Sequence, residues 1–248
     1  MKNIEEQSDF VRNYAHSLNQ TRLGDGNTLP DILERIRQKT KPFFMHTHHP
    51  DIDYQSAKDI FKFTAQSLCS RQQQNFIIDN ENSGVLQNLV AYFIQDQANC
   101  VFSIQKGIYL YGPVGVGKTF IFQIFQLFCQ AILCPTYIIK PTRKIVQNVE
   151  KAKSFTGLEK YQDGIICFDD LGKEPKTLKI YHHEESIMST VLSDRYEAFI
   201  SRGLLTHTTS NLVPSELEAE YGTYISDRCR QLFNFVALGD EKSKSRRS

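Results

Sequence analysis

The sequence has almost no excess of either charge. Its 29 Lys and Arg against 28 Asp and Glu leave a formal net charge of +1 over 248 residues. No global basic field therefore draws in nucleic acid, and any such contact must come from a local cluster or from several subunits together. Cys-x-x-Cys pairs are also missing. The six cysteines (Cys69, Cys100, Cys129, Cys134, Cys167 and Cys229) are scattered, which argues against a structural zinc site. Several lie in apolar runs, where a free thiol acts as a small hydrophobe, and a reducing cytoplasm is the simplest setting. No membrane span is expected. The one misleading run, residues 120–133, carries Gln123, Gln126 and Gln130 at helical spacing and reads as a buried helix. The first six residues are acidic and polar, unlike a signal peptide. With 40% hydrophobic and 23% charged residues, the composition is that of a soluble globular protein. The length suits one domain of moderate size with a smaller appendage.

Against these absences stands one strong pattern. Gly112, Pro113, Val114, Gly115, Val116, Gly117, Lys118 and Thr119 form a glycine, four free positions, then Gly-Lys-Thr. Glycines let the backbone curl until successive N–H groups point at phosphates. Lys118 is placed to reach β- and γ-phosphate oxygens, and the Thr119 hydroxyl to ligate Mg²⁺. Residues 107–111 read as a buried strand entering the loop and 119–133 as the helix leaving it, whose dipole adds positive potential. The pattern predicts a nucleotide site with Mg²⁺.

Residues 1 to about 40 read as amphipathic helices, with Phe10, Val11, Tyr14 and Leu18 on one face and a second helix starting near Pro30. They are too few for a large core of their own, and pack either on the main domain or on a partner. The run His46-Thr47-His48-His49-Pro50-Asp51 reads as a polar surface loop rather than a metal site, since Pro50 breaks any fixed geometry. Residues 56–70 and 85–97 read as further helices. Residues 76–79, ahead of the second of these, are placed to touch the adenine. The domain boundary is expected near residue 80, giving a helical region 1–80 and a nucleotide-binding domain 81–248.

Beyond the phosphate loop, residues 135–140 read as a strand, and Thr142 is placed to cap a helix running to residue 153. Lys140, Arg143, Lys144, Lys151 and Lys153 form a basic run that is either a solvated face or a contact for nucleic-acid phosphates. Residues 164–172 form a buried strand with Asp169 and Asp170 at its C-terminal end, the edge where open parallel sheets bind ligands. Asp169 is placed for the Mg²⁺ shell, and Asp170 to orient or deprotonate the attacking water. His182 and His183 read as loop residues before a helix over 184–200. Residues 203–211 read as a strand, bringing Asn211 beside the γ-phosphate if that strand neighbours 165–168. A helix over 221–233 and a strand over 235–238 complete the chain ahead of a basic tail.

Four blocks in order, 112–119, 165–172, 206–212 and 221–230, resemble the DnaC/IstB-like branch of AAA+ ATPases. The first two are shared by many ATPases, whereas the last two point to the helicase-loader and transposition-helper branch. The resemblance implies that Asn211 senses the γ-phosphate, and that Arg228 is an arginine finger given in trans to a neighbouring subunit, with Arg230 the lesser candidate. A planar guanidinium suits charge spread over phosphoryl oxygens. It further implies a homo-oligomer when ATP is bound. Asp170 stands where most AAA+ proteins have Glu, so slow hydrolysis is expected. About ten residues follow the last strand, too few for a C-terminal helical lid, and a second sensor would be Arg246 or Arg247.

The fold expected is therefore α/β: an AAA+ P-loop NTPase core with a parallel sheet flanked by helices, no C-terminal lid, and a small helical N-terminal region. The expected function is a cytoplasmic ATP-dependent loader that binds a replicative DNA helicase and single-stranded DNA. The alternative is a helper ATPase that directs a transposase. A GTPase is disfavoured because no Asn-Lys-x-Asp occurs, and a small-molecule kinase because no arginine-bearing lid is evident.

Overall fold

The structure, a computed structural model, describes residues 52–70, 75–180, 183–240, 243, 245 and 246. The expected N-terminal helices and the histidine-rich loop at 46–51 lie outside the described residues. The compact unit that holds the described elements begins at Phe43.

Helices α1 (Tyr54–Ser70) and α2 (Ser83–Phe93) precede strand β1 (Gly107–Tyr111) and the phosphate loop. There follow α3 (Lys118–Ala131), β2 (Ile138–Pro141), α4 (Thr142–Ala152) and β3 (Ile166–Leu171). A hairpin of β4 (Leu178–Ile180) and β5 (His183–Glu185) leads to α5 (Ile187–Arg202), β6 (Thr206–Ser210), α6 (Leu217–Leu232) and β7 (Phe233–Ala237). The main sheet runs β2-β3-β6-β1-β7, every neighbouring pair parallel. Parallel strands need crossover helices on the sheet faces, and these bury both sides of β1. Ile108 and Leu110 face one core with α1, α2 and α3, and Tyr109 faces the other with helices α4, α5 and α6.

Helix α1 belongs to the same core as the phosphate-loop helix. Ala57, Phe61 and Ala65 are buried in it, and the Phe61 ring stacks on Phe125 of α3 at 4.7 Å between centroids. Phe93 of α2 stacks on the same ring at 4.7 Å. Such offset aromatic stacks add to plain area burial.

Strand β6 is unusual in composition. Its sequence, Thr206-His207-Thr208-Thr209-Ser210, is polar throughout, yet all five residues are buried. β-Branched threonines favour the extended chain, but each buried polar atom needs a partner. Arg195 Nε donates to Thr206 Oγ1 at 2.8 Å, and the Ile108 N–H donates to His207 Nδ1 at 3.1 Å. The hydroxyls of Thr208 and Ser210 donate to the carbonyls of Phe168 at 2.7 Å and Leu171 at 2.6 Å. Thr209 donates to Asp169 Oδ1 at 2.7 Å. β6 is thus tied to both neighbours by side chains as well as backbone.

Two local expectations are corrected. Thr142 does not cap α4 but is its first residue, and its buried hydroxyl donates to the Asp170 carbonyl at 3.1 Å, tying α4 to the end of β3. His183 is part of a two-stranded antiparallel hairpin before α5 rather than a plain loop, and His182 lies outside the described residues. Among the described residues no helix follows β7.

Candidate functional site

The phosphate loop joins β1 to α3, and Gly117 turns it. Its φ of 97° lies in the left-handed region, open to glycine at little steric cost, and α3 begins one residue later. Lys118 is only 6% exposed. Its Nζ donates to the carbonyls of Gly112 at 2.7 Å and Pro113 at 2.8 Å, and to Asn211 Oδ1 at 2.8 Å. These three acceptors are neutral oxygens, two from its own loop and one from Asn211 just past β6.

One residue on, Thr119 Oγ1 donates to Asp169 Oδ1 at 2.6 Å. Asp169 is 8% exposed and also accepts from Thr209. A hydroxyl and a carboxylate within hydrogen-bond distance at the mouth of a phosphate loop fit the protein side of an octahedral Mg²⁺ shell, which takes its other ligands from water and phosphate. Among the described residues no group of three or more His, Cys, Asp or Glu is placed to hold a metal by itself.

The end of β3 owes its shape to a bulge. Phe168 pairs with Thr208 and Leu171 with Ser210, so β3 carries one residue more than β6 over this stretch. Bulges bend a strand and re-aim side chains. Here Asp170 takes φ 62°, a left-handed conformation that Asp tolerates better than most residues. Its N–H donates to Thr209 Oγ1 at 2.9 Å, and its carboxylate pairs with Lys173 Nζ at 2.7 Å. Asp170 is therefore beside Asp169 in chain and strand, but its carboxylate points to Lys173 and not into the Lys118 cluster.

The structure brings together Gly112, Pro113, Lys118, Thr119, Asp169 and Asn211. Asn211 arrives because β6 does pair with β3. Val114 is exposed at the loop tip and Val116 is buried beneath it. Within one chain Arg228 is elsewhere. Its guanidinium carbon lies 3.4 Å from the Tyr224 ring centroid and 4.7 Å from that of Tyr196, and its Nη2 pairs with Glu197 at 3.2 Å. Arg230, two residues on, is exposed.

Several contributors lacked a sequence signal. Thr209 braces both aspartates, and only its position opposite β3 reveals it. Glu174 is buried and accepts from the Gly172 N–H at 3.0 Å and from the Tyr221 hydroxyl, joining the loop after β3 to α6. Arg195 is fully buried, reaching the carbonyls of Tyr161, Gly164 and Leu205 besides Thr206. Burial, reinforced by nearby Arg202, draws its pKa down to about 10, and it remains cationic near neutrality.

Sheet order, loop and flanking helices together define a parallel α/β fold of the P-loop type. No family model matches the chain, and no curated protein matches it significantly. Solved structures do. The structure of DnaI is 18% identical, with a TM-score of 0.50 over 66% of this chain and 87% of that one. A DnaC helicase loader is 15% identical, TM-score 0.49, over 66% and 93% respectively. A candidate primosome component from Streptococcus pyogenes is 18% identical, TM-score 0.48, over 68% and 85%. At these identities the likeness is one of fold, and the DnaI structure carries it.

Proposed function

We propose that the protein is an ATP-dependent loader of a replicative DNA helicase, with ATP binding and slow hydrolysis acting as its switch. The observation that carries the nucleotide reading is the convergence of Lys118, Thr119, Asp169 and Asn211 at the C-terminal edge of the parallel sheet. The loader reading is supported by the four sequence blocks, two of them particular to the loader and transposition-helper branch.

In this reading Lys118 exchanges the Gly112 and Pro113 carbonyls for β- and γ-phosphate oxygens, and Asn211 reports the γ-phosphate to β6. Mg²⁺ held by Thr119 and Asp169 would neutralise charge on the same phosphates. Asp170 orients the attacking water once it parts from Lys173, and that ion pair accords with slow turnover in the isolated chain. Arg228, or Arg230 beside it, acts on the nucleotide of an adjacent subunit, so ATP also governs assembly. The charge spread of the transferring phosphoryl group favours a guanidinium there.

Single-stranded DNA is the further partner. A cavity of about 490 Å³ beside the edge strand β2 is lined by Lys140, Lys144 and Lys160, with Tyr161 and Asn148. Its one carboxylate, Asp163, pairs with Arg202 at 2.6 Å. This leaves a locally basic face on a nearly neutral chain, suited to phosphate backbone rather than base edges.

Native mass spectrometry of the chain with the replicative helicase hexamer of the same source tests the reading. A stoichiometric complex with ATP, formed poorly by Lys118→Ala, is expected. Intact ATP binding without any complex overturns the loader reading in favour of the transposase helper.

A further inference from the structure

Described residues beyond β7 come back to the phosphate loop. Leu238 continues the ladder, its N–H donating to the Tyr111 carbonyl at 2.8 Å. Asp240 and Ser243 are bonded to each other, the Ser243 N–H donating to the Asp240 carbonyl at 3.0 Å and Ser243 Oγ accepting from the Asp240 N–H at 2.9 Å. The backbone N–H of Arg246 donates to the Gly115 carbonyl at 2.9 Å, and a Cβ placed on Gly115 would meet Ser245 Oγ at 2.3 Å. The Arg246 side chain reaches across to the segment ahead of α2, pairing with Asp79 Oδ2 at 2.8 Å and Glu81 Oε2 at 3.4 Å. Burial alone would raise the Asp79 pKa, but the hydrogen bond and charge of Arg246, with the N–H groups of Glu81 and Asn82, hold it below the usual value.

We infer that Ser243, Ser245 and Arg246 form a strap, which bridges the gap between the Asp79–Glu81 turn and the phosphate loop and must open before nucleotide enters. The inference rests on the reading of this loop as a nucleotide site. Three observations on different atoms carry it: the backbone bond to Gly115, the contact of Ser245 with that glycine, and the double ion pair. The strap is built to open. Arg246 is 29% exposed, Asp79 39% and Glu81 52%, and ion pairs so open to water are individually weak and screened by salt. The clasp therefore delays entry without competing strongly with bound nucleotide.

The test is stopped-flow binding of a fluorescent ATP analogue with Mg²⁺ to the full chain. The perturbation is Asp79→Asn with Glu81→Gln. Asn retains the side-chain oxygen that accepts from the N–H groups of Glu81 and Asn82, so the start of α2 is preserved. At low salt the association rate constant is expected to rise about fivefold. In wild type the same rise should appear on adding about 0.5 M salt, when surface pairs are screened. Unchanged association in both experiments overturns the strap. Faster dissociation instead would make this ion pair part of the nucleotide's own support, and also overturns it. A wild type that does not bind the analogue overturns the nucleotide site itself, a distinguishable failure.

Discussion

Replacing Lys118 by Met probes the site with a side chain of similar length and no charge. In wild type the ammonium is within 2.8 Å of two loop carbonyls and Asn211, so the variant leaves those acceptors unpaired. The apo protein should lose about 1–3 kcal/mol of stability. The informative quantity is the shift caused by nucleotide. Charge-assisted hydrogen bonds are worth about 1.5–3 kcal/mol each. Two of them to phosphate oxygens, once lost, weaken ATP binding by at least about a hundredfold. At ATP·Mg²⁺ about a hundredfold above the dissociation constant, wild type gains about 2.7 kcal/mol. For a domain of this size that is about 5–11 °C in melting temperature. At the same concentration the variant gains at most about 0.4 kcal/mol, or roughly 1 °C. Differential scanning fluorimetry with and without ATP·Mg²⁺ reads both numbers. An Lys118→Met protein that keeps the wild-type shift would refute the assignment of Lys118 to the phosphates.

Three further outcomes are expected. Arg195→Met leaves three carbonyls and a hydroxyl without their buried donor, at about 1–3 kcal/mol for an unsatisfied group, and should cost about 3–5 kcal/mol in all, seen as a melting temperature lower by about 6–20 °C. A loss under about 1 kcal/mol would mean that the hydrogen bonds around Arg195 are not formed. Burial pushes the Cys229 thiol up to about 12 and those of Cys129 and Cys167 above their ordinary values. Iodoacetamide at about pH 8 should therefore leave all three unmodified in native protein and label them after unfolding, because the thiolate is the nucleophile. Rapid native labelling of Cys167, read by peptide mass, would contradict the placement of β3 in the core. Changing Lys140, Lys144 and Lys160 together to Gln should reduce the salt slope of single-strand binding by up to about 2, at about 0.7 per lost phosphate contact. An unchanged slope in fluorescence anisotropy would place the DNA elsewhere.

Much of this architecture is legible in the residues, for identifiable reasons. A phosphate loop has a spacing that few other structures require, and residues 165–168 are apolar because β3 is covered on both faces. Asn211 could be placed only conditionally, since strand order is a long-range property. The pairing of β6 with β3 supplies the condition. Strand β6 itself is the instructive case. Apolar periodicity cannot mark its burial, because Thr, His and Ser are made tolerable inside by Arg195, by the Ile108 N–H and by carbonyls of β3. Lys173 and Thr209 escape notice for the same reason, since their effect on Asp169 and Asp170 depends on a bulge. The strap is not legible in sequence, where residues 242–247 read as a basic tail and Arg246 only as a candidate second sensor.

Loading of the cognate helicase onto a closed single-stranded circle, read as displacement of an annealed strand, tests the central claim most directly. Wild-type protein with ATP should raise displacement well above that of the helicase alone, and Lys118→Ala should leave it at the helicase-alone level. Equal displacement with and without the protein, under conditions where ATP binding has been verified, would contradict the account.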